Sequence, residues 1–60
     1  MKTAREIRKE KGLSTEYVAS KLSLTPSAYL RRERGEVNWK AEELKAFSLL
    51  VKVPVVKIEI

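Results

Sequence analysis

The chain has 60 residues, 43% of them hydrophobic, which is enough for one small domain with one core. Neither cysteine nor histidine occurs, which excludes disulfides, Cys/His metal sites and catalysis by thiol or imidazole groups. Thirteen Lys and Arg against eight Asp and Glu give a formal charge of +5, which favours a polyanionic partner such as nucleic acid or an acidic membrane surface. No apolar run approaches the ~18 residues of a membrane span, so we expect a cytoplasmic protein.

The first predicted helix begins at a capping box. Thr3 and Glu6 have the spacing in which the threonine hydroxyl accepts from the Glu6 amide and the Glu6 carboxylate accepts from the Thr3 amide. Ala4 and Ile7 then lie on one face of the helix. Gly12 can adopt the left-handed conformation that closes a helix, so we expect this one to end there.

The second predicted helix is short, about two turns. Ser14 or Thr15 is suited to cap it, because both have a hydroxyl that can accept from a free backbone amide. Its apolar residues recur at helical spacing: Val18, Ala19 and Leu22.

The third predicted helix follows after a tight connection. Thr25 is placed as its N-cap, and Pro26 occupies the first helical position, where a missing N–H costs nothing. We expect the helix to run over about residues 26–34 and to stop at Gly35. Residues 14–35 would then form a helix-turn-helix, whose second helix enters the major groove of DNA.

The fourth predicted helix comes after a loop at residues 36–39 and covers about three turns. Its apolar stripe is the widest in the chain: Ala41, Leu44, Phe47, Leu50 and Val51. Pro54 ends it. We therefore expect one all-α domain over residues 1–60, since short helices alternate with short polar turns.

Residues 55–60 fit two structures. Val55 and Ile58 have the spacing of a last helical turn. Val56, Ile58 and Ile60 instead alternate with charged residues, as they would in a short strand. Both alternatives stay open from the sequence alone.

A set of short segments has a characteristic order and spacing: Arg5-Glu6-Ile7-Arg8, Lys11-Gly12-Leu13-Ser14, Val18-Ala19, Leu22 and Glu33-Arg34-Gly35. Over about residues 3–54 the chain resembles the Xre, Cro and phage-repressor family of DNA-binding domains. The resemblance implies a lambda-repressor-like fold of four to five short helices. It also implies a small transcriptional regulator, repressor-like, of a prokaryote or phage, associated with the nucleoid when bound to duplex DNA.

The resemblance further implies an ion pair between Arg8 and Glu33, which holds the third helix to the first. A partly buried bidentate contact of this kind fixes geometry well, although both ions lose water when it forms. The alternative is that both residues are solvated surface charges.

The DNA contacts implied by the resemblance fall into two groups. The base-facing residues are Pro26, Ser27, Ala28 and Arg31. Arg31 lies one turn beyond Ser27, where a guanidinium can bond guanine O6 and N7, so we expect it to be the main base reader. The phosphate-contacting residues are Thr15, Thr25, Arg34, Asn38 and Lys40. The first two lie at helix N-termini, which present free amides to phosphates.

Several positions depart from the family pattern. Pro26 cannot donate a hydrogen bond where the family often has a base-contacting polar residue. Leu30 stands where the family has a small polar residue, and Arg32 where it has an apolar one. We expect Tyr29 to fill the core and Leu30 to face DNA or solvent, while Arg32 lays its stem along apolar surface and extends its head outward. The alternative is a rotated or shortened helix, which would move Arg31.

Apolar residues also occur where the family has polar ones. Leu49, with Val56 or Ile60, would form a patch for a two-fold homodimer interface, because most family members bind two half-sites. The alternative is a single exposed leucine, which is ordinary. Lys52 replaces the family's usual glycine, and Trp39 is expected to hold the loop onto the core.

Two functions are compatible with the sequence. The first is sequence-specific duplex DNA binding by a transcriptional regulator. The second is a protein-interaction domain of the same fold, antitoxin-like or anti-repressor-like, with weakened DNA readout. We expect no enzymatic activity and no catalytic residue, because most of the carboxylates lie at helix ends or near Lys and Arg and the core is too small for a pocket. We also expect no metal, cofactor, small-molecule ligand or membrane partner.

Overall fold

The computed structural model describes residues 1–60 and confirms the all-α fold. Its elements in chain order are β1 (Lys2–Thr3), α1 (Ala4–Glu10), α2 (Thr15–Lys21), α3 (Pro26–Glu33), α4 (Ala41–Val51), a 3-10 turn (Val55–Lys57) and β2 (Ile58–Glu59). None of the helices combines the length and the apolar character needed to cross a bilayer.

The capping box of α1 forms as expected. The Glu6 amide donates to the Thr3 hydroxyl at 3.2 Å, and the Thr3 amide donates to the Glu6 carboxylate at 3.0 Å. These bonds lower the pKa of Glu6. The start of α1 is thus fixed by four consecutive residues.

Of the two candidate caps for α2, Ser14 is the one used: its hydroxyl accepts from the Tyr17 amide at 3.0 Å. Thr25 caps α3 as expected, accepting from the Ala28 amide at 3.1 Å, and Pro26 takes the first helical position. The N-terminus of each helix of the helix-turn-helix is therefore satisfied by a hydroxyl immediately before it.

Four residues adopt the left-handed backbone conformation. Gly12 (φ 69°) follows α1, and Gly35 (φ 82°) follows α3. Helix α3 ends at Glu33, one residue earlier than expected. Ser23 (φ 59°) and Lys52 (φ 60°) adopt the same conformation with a side chain, at a cost of roughly 1 kcal/mol each. Lys52 is the C-cap of α4, at the position where the family that the sequence resembles usually has glycine.

The core lies between the helices and is built around four fully buried side chains: Tyr29, Phe47, Val18 and Val51. Trp39 packs against it from the loop between α3 and α4, as expected. Its ring lies edge-on to Tyr29 with centroids 5.9 Å apart, and it is tilted against Phe47 at 5.5 Å. Such pairs add stability beyond the area they bury, so Trp39 fixes the loop between the two helices.

The C-terminal segment contains both alternatives left open by the sequence. Val55–Lys57 form a 3-10 turn, and Ile58–Glu59 then form a strand that pairs in parallel with β1. Only Ile58 enters the core, whereas Val56 and Ile60 are exposed. The alternation of apolar and charged residues from Val56 to Ile60 therefore does not form one continuous strand, because Val56 lies in the turn.

Candidate nucleic-acid interface

Helices α2 and α3 pack against each other more extensively than any other pair of helices. The fully buried Ala19 allows the close approach. The Leu24 amide donates to the Ala19 carbonyl at 2.8 Å, and the left-handed Ser23 reverses the chain before α3. The two helices and their connection thus have the helix-turn-helix arrangement.

The outward face of α3 carries the expected base-facing residues. Pro26, Ser27 and Arg31 are exposed, and Ala28 is half-buried. Arg31 lies outside every ion pair of the structure. Its guanidinium is therefore available to a ligand without first leaving a carboxylate.

The inward face of α3 agrees with the expected arrangement at Tyr29 and differs from it at Leu30. Tyr29 is fully buried in the core, and Leu30 is half-buried rather than exposed. The helix continues through Arg31 to Glu33, so it is not shortened. Leu30 consequently lies at the border between the outward face and the packed interior.

The expectation for Arg32 is wrong in one respect, because its head does not extend into solvent. Its Nε donates to Glu43 Oε1 at 2.7 Å, and its Nη1 donates to the Ala28 carbonyl at 3.0 Å. The Arg32 and Glu43 side chains are only 11% and 8% exposed. The Lys40 amide donates to the same Glu43 oxygen at 2.9 Å. One carboxylate oxygen thus accepts from both the Arg32 guanidinium and the backbone at the start of α4.

These contacts set the charge state of Glu43. Burial is the largest single influence and raises the pKa of its carboxyl, but the hydrogen bonds from the Lys40 amide and the Arg32 guanidinium, with the positive charges of both residues, together lower the pKa below its usual value. Glu43 is therefore ionised at neutral pH. The structure thus joins α3 to the first turn of α4 through a charged pair.

The structure joins Arg8 and Glu33 by two hydrogen bonds. Arg8 Nε donates to Glu33 Oε2 at 2.9 Å, and Arg8 Nη2 donates to Glu33 Oε1 at 3.2 Å. Arg8 Nη1 also donates to the Leu13 carbonyl at 3.1 Å. The side chains are 11% and 3% exposed. The bidentate contact joins α1 to α3, and the bond to Leu13 joins the loop after α1 to the same arginine.

The pKa values of this group follow from the contacts. The bond to Glu33 raises the pKa of Arg8. Burial is the largest single influence on Glu33 and raises its pKa, but the hydrogen-bond donors and positive charges around the carboxylate, chiefly those of Arg8, together lower its pKa below the usual value. The Tyr29 hydroxyl lies beside the pair and is buried without a hydrogen-bond partner. Burial and the neighbouring carboxylate raise the pKa of Tyr29 above its usual range.

The five residues expected to contact phosphate lie on the rims of the helix-turn-helix and in the loop that follows it. Thr25, Arg34, Asn38 and Lys40 are exposed, and Thr15 is half-buried at the first position of α2. Arg34 Nη1 lies 3.7 Å from Glu36 Oε2, and both side chains are more than half exposed. A contact of this kind is weak and leaves Arg34 accessible to an anion.

Together, the paired helices α2 and α3, with an exposed outward face on α3, define a helix-turn-helix DNA-binding domain. A family model described as helix-turn-helix matches residues 5–58. The chain therefore belongs to the Cro/C1-type, Xre-like helix-turn-helix family, and it is a DNA-binding regulator of that family. Searches of curated proteins and of solved structures gave no significant match.

The sequence did not predict the pair between Arg32 and Glu43. The available signal was the spacing of Lys40 and Glu43, which places a carboxylate at the third position of α4, where a helix start favours negative charge. Nothing in that spacing shows that Arg32 lies opposite. Arg32 and Glu43 come together only because the loop between α3 and α4 folds with Trp39 packed on the core.

Proposed function

We propose that the chain binds duplex DNA sequence-specifically and acts as a repressor, with α3 in the major groove. The observation that supports this best is the state of Arg31. It is exposed on the outward face of α3 and free of carboxylates, whereas the adjacent Arg32 is held by Glu43. A free guanidinium at this position can bond O6 and N7 of guanine.

The residues around Arg31 support the same orientation. Ser27 lies one helical turn before it and is exposed, so both side chains face the same way. Thr25, Arg34, Asn38 and Lys40 surround this face with groups that can bond phosphate oxygens. In this arrangement the phosphate contacts set the position of α3, and Arg31 provides most of the sequence preference.

The proposed action is binding without catalysis. The two carboxylates shielded from solvent, Glu33 and Glu43, are each held by an arginine and have pKa values below their usual range. Neither is therefore a proton donor at neutral pH. Repression would follow from occupation of the DNA site.

A two-fold dimer would increase the affinity, since one helix-turn-helix contacts few bases. Leu49, Val56 and Ile60 are 70%, 80% and 74% exposed, and large exposed apolar side chains are typical of interfaces. Light scattering over a concentration series tests this part of the proposal separately. A monomer at every concentration would refute it.

The main test begins with selection of duplexes from a randomised library. The selected duplex and a scrambled duplex are then titrated by fluorescence anisotropy at 50 and 200 mM salt. We expect Arg31→Ala to weaken binding to the selected duplex about 10- to 100-fold, as for loss of a bidentate base contact, and to change scrambled binding far less. Lys45→Ala is the matched control, because Lys45 is an exposed cation of α4.

Failure has a distinct meaning. If no sequence is enriched and the wild type does not bind at ~100 μM, the proposed function is wrong, since specific sites bind far more tightly. The protein-interaction function would then be favoured, and two observations are consistent with it. Pro26 offers no N–H at the start of α3, and large apolar side chains are exposed outside the helix-turn-helix.

A further inference from the structure

A cleft of about 450 Å³ runs between α1 and the C-terminal half of α3, and none of the expected DNA contacts except Arg34 lies in it. Its lining residues are Arg5, Arg8, Lys9, Leu30, Glu33 and Arg34. Arg34 comes three residues after Arg31 and therefore projects from the same side of the helix axis. The cleft is thus continuous with the outward face of α3.

The charge of the cleft is strongly positive where it is accessible. Arg8 and Glu33 neutralise each other and are largely buried. Arg5 and Lys9 are exposed and belong to no ion pair. Arg34 has only the exposed Glu36 at 3.7 Å. Three cations therefore face the opening without a firmly bound counter-charge.

The spacing of these cations suits an extended polyanion. Arg5 and Lys9 are four residues apart on α1, so they project side by side from one face, with Cβ atoms about 5–6 Å apart. Arg34 lies across the cleft on the other helix. The half-buried Leu30 adds apolar surface between them. A sugar-phosphate strand is complementary to this surface, because its phosphates can contact the cations and its sugars can contact the apolar Leu30.

We propose that this cleft binds the DNA backbone beside the bases that α3 reads, with Arg5, Lys9 and Arg34 contacting phosphates and Leu30 contacting a sugar. The proposal rests on the proposed function, because the duplex is the same one. It extends the contact surface from the helix-turn-helix onto α1. It also accounts for an apolar residue at position 30, which lies at the border of the outward face.

The test compares two double variants that each remove two positive charges. Arg5→Gln/Lys9→Gln removes the α1 cations of the cleft. Lys45→Gln/Lys57→Gln is the control, because both lysines are exposed and neither lines the cleft. All the side chains concerned are solvent-exposed, and a thermal melt of each protein verifies that the fold is kept.

Each protein is titrated with the selected duplex over a salt series. Removal of one cation that binds a phosphate should reduce the slope of log K against log salt by about 0.9. We expect a reduction of about 1–2 for the cleft variant and a smaller change for the control. The preference for the selected over the scrambled duplex should stay the same, since phosphate contacts do not read sequence.

A second measurement locates the contact on the DNA. Single phosphates of the selected duplex are replaced by neutral methylphosphonates, and the affinity of the wild type and the cleft variant is compared. At the phosphates bound by Arg5 and Lys9, the replacement should weaken the wild type and leave the cleft variant unchanged, as in a double-mutant cycle.

Each outcome decides the proposal. If the wild type binds the duplex and the two double variants have equal slopes, the cleft inference is wrong and the proposed function stands. Reduced affinity with an unchanged slope also overturns it, because a protein that binds fewer phosphates must release fewer counterions. If the wild type binds no duplex, the proposed function fails as well, and an acidic protein becomes the partner to test for this cleft.

Discussion

Two adjacent residues of α3 form ion pairs with opposite polarity and with different helices. Glu33 accepts two hydrogen bonds from Arg8 of α1, whereas Arg32 donates one to Glu43 of α4. All these side chains are at most 11% exposed. The pairs differ in the hydrogen bonds that the glutamate keeps when its arginine is removed. This difference determines how much each pair contributes to the free energy of unfolding.

The first pair leaves its carboxylate with none of its hydrogen bonds, because both come from Arg8, and only the Tyr29 hydroxyl lies beside it. The second pair leaves Glu43 with the Lys40 amide at 2.9 Å and a place in the first turn of α4, where the helix dipole favours negative charge. Loss of the first arginine therefore leaves a buried carboxylate without its cationic partner. Loss of the second leaves a carboxylate that still accepts one hydrogen bond.

The largest expected effect is that of Arg8→Met. It leaves the buried Glu33 carboxylate without its cationic partner, and we expect it to reduce the free energy of unfolding by about 3 kcal/mol. Urea denaturation followed by Trp39 fluorescence measures the change. Arg5→Met is the control, since Arg5 is exposed and unpaired, and it should change stability by less than about 0.5 kcal/mol.

A smaller reduction is expected for Arg32→Met, about 1–2 kcal/mol, because Glu43 keeps one donor and methionine fills most of the volume left by the arginine. The same denaturation experiment applies. If Arg32→Met is more destabilising than Arg8→Met, the comparison between the pairs is reversed, and the Lys40 amide does not compensate Glu43.

Acid should weaken both pairs. The pKa values of Glu33 and Glu43 are lowered in the folded protein from an ordinary value of 4.5. A lowered folded-state pKa stabilises the fold fully above the unfolded value, and this stabilisation is lost as the pH falls through the folded value. Urea midpoints should therefore be constant from pH 7 to about 5.5 and decline below about 4.5. Arg8→Met should have a shallower decline, since Glu33 then has no arginine partner; an unchanged decline would contradict a role for Glu33.

The smallest expected effect is that of Tyr29→Phe. The Tyr29 hydroxyl is buried without a hydrogen-bond partner beside Glu33, so its removal should change the free energy of unfolding by less than about 1 kcal/mol, towards higher stability. Thermal melts compare the two proteins. A destabilisation well above that size would mean that the hydroxyl bonds to Glu33 and belongs to the first pair.

The parts of the fold that depend on neighbouring residues are predictable from the sequence. The capping box at Thr3 and Glu6, the cap at Thr25 with Pro26, and the glycine after α1 all act within one helical turn. The order of four helices follows from these signals and from helical periodicity. The outward position of Ser27 and Arg31 follows as well, because they are one turn apart on a helix whose inward residue is Tyr29.

The parts that depend on distant residues are not predictable from the residues alone. The pairing of Arg8 with Glu33 comes from the family resemblance, since the two are far apart in the chain. The sequence leaves Arg32 in solvent because its partner, Glu43, follows a loop whose path is set by Trp39. Lys2–Thr3 give no signal of a strand, because two residues are too short to have an alternation.

The pairing of β1 with β2 has a consequence for folding. The helix-turn-helix joins segments that are neighbours in sequence, whereas the contact between Lys2 and Ile58 closes a loop of nearly the whole chain. Closing a long loop costs more conformational entropy than joining adjacent helices. The strands are therefore expected to meet after α2 and α3 have packed, so a change at Ile58 should accelerate unfolding and leave the folding rate almost unaltered.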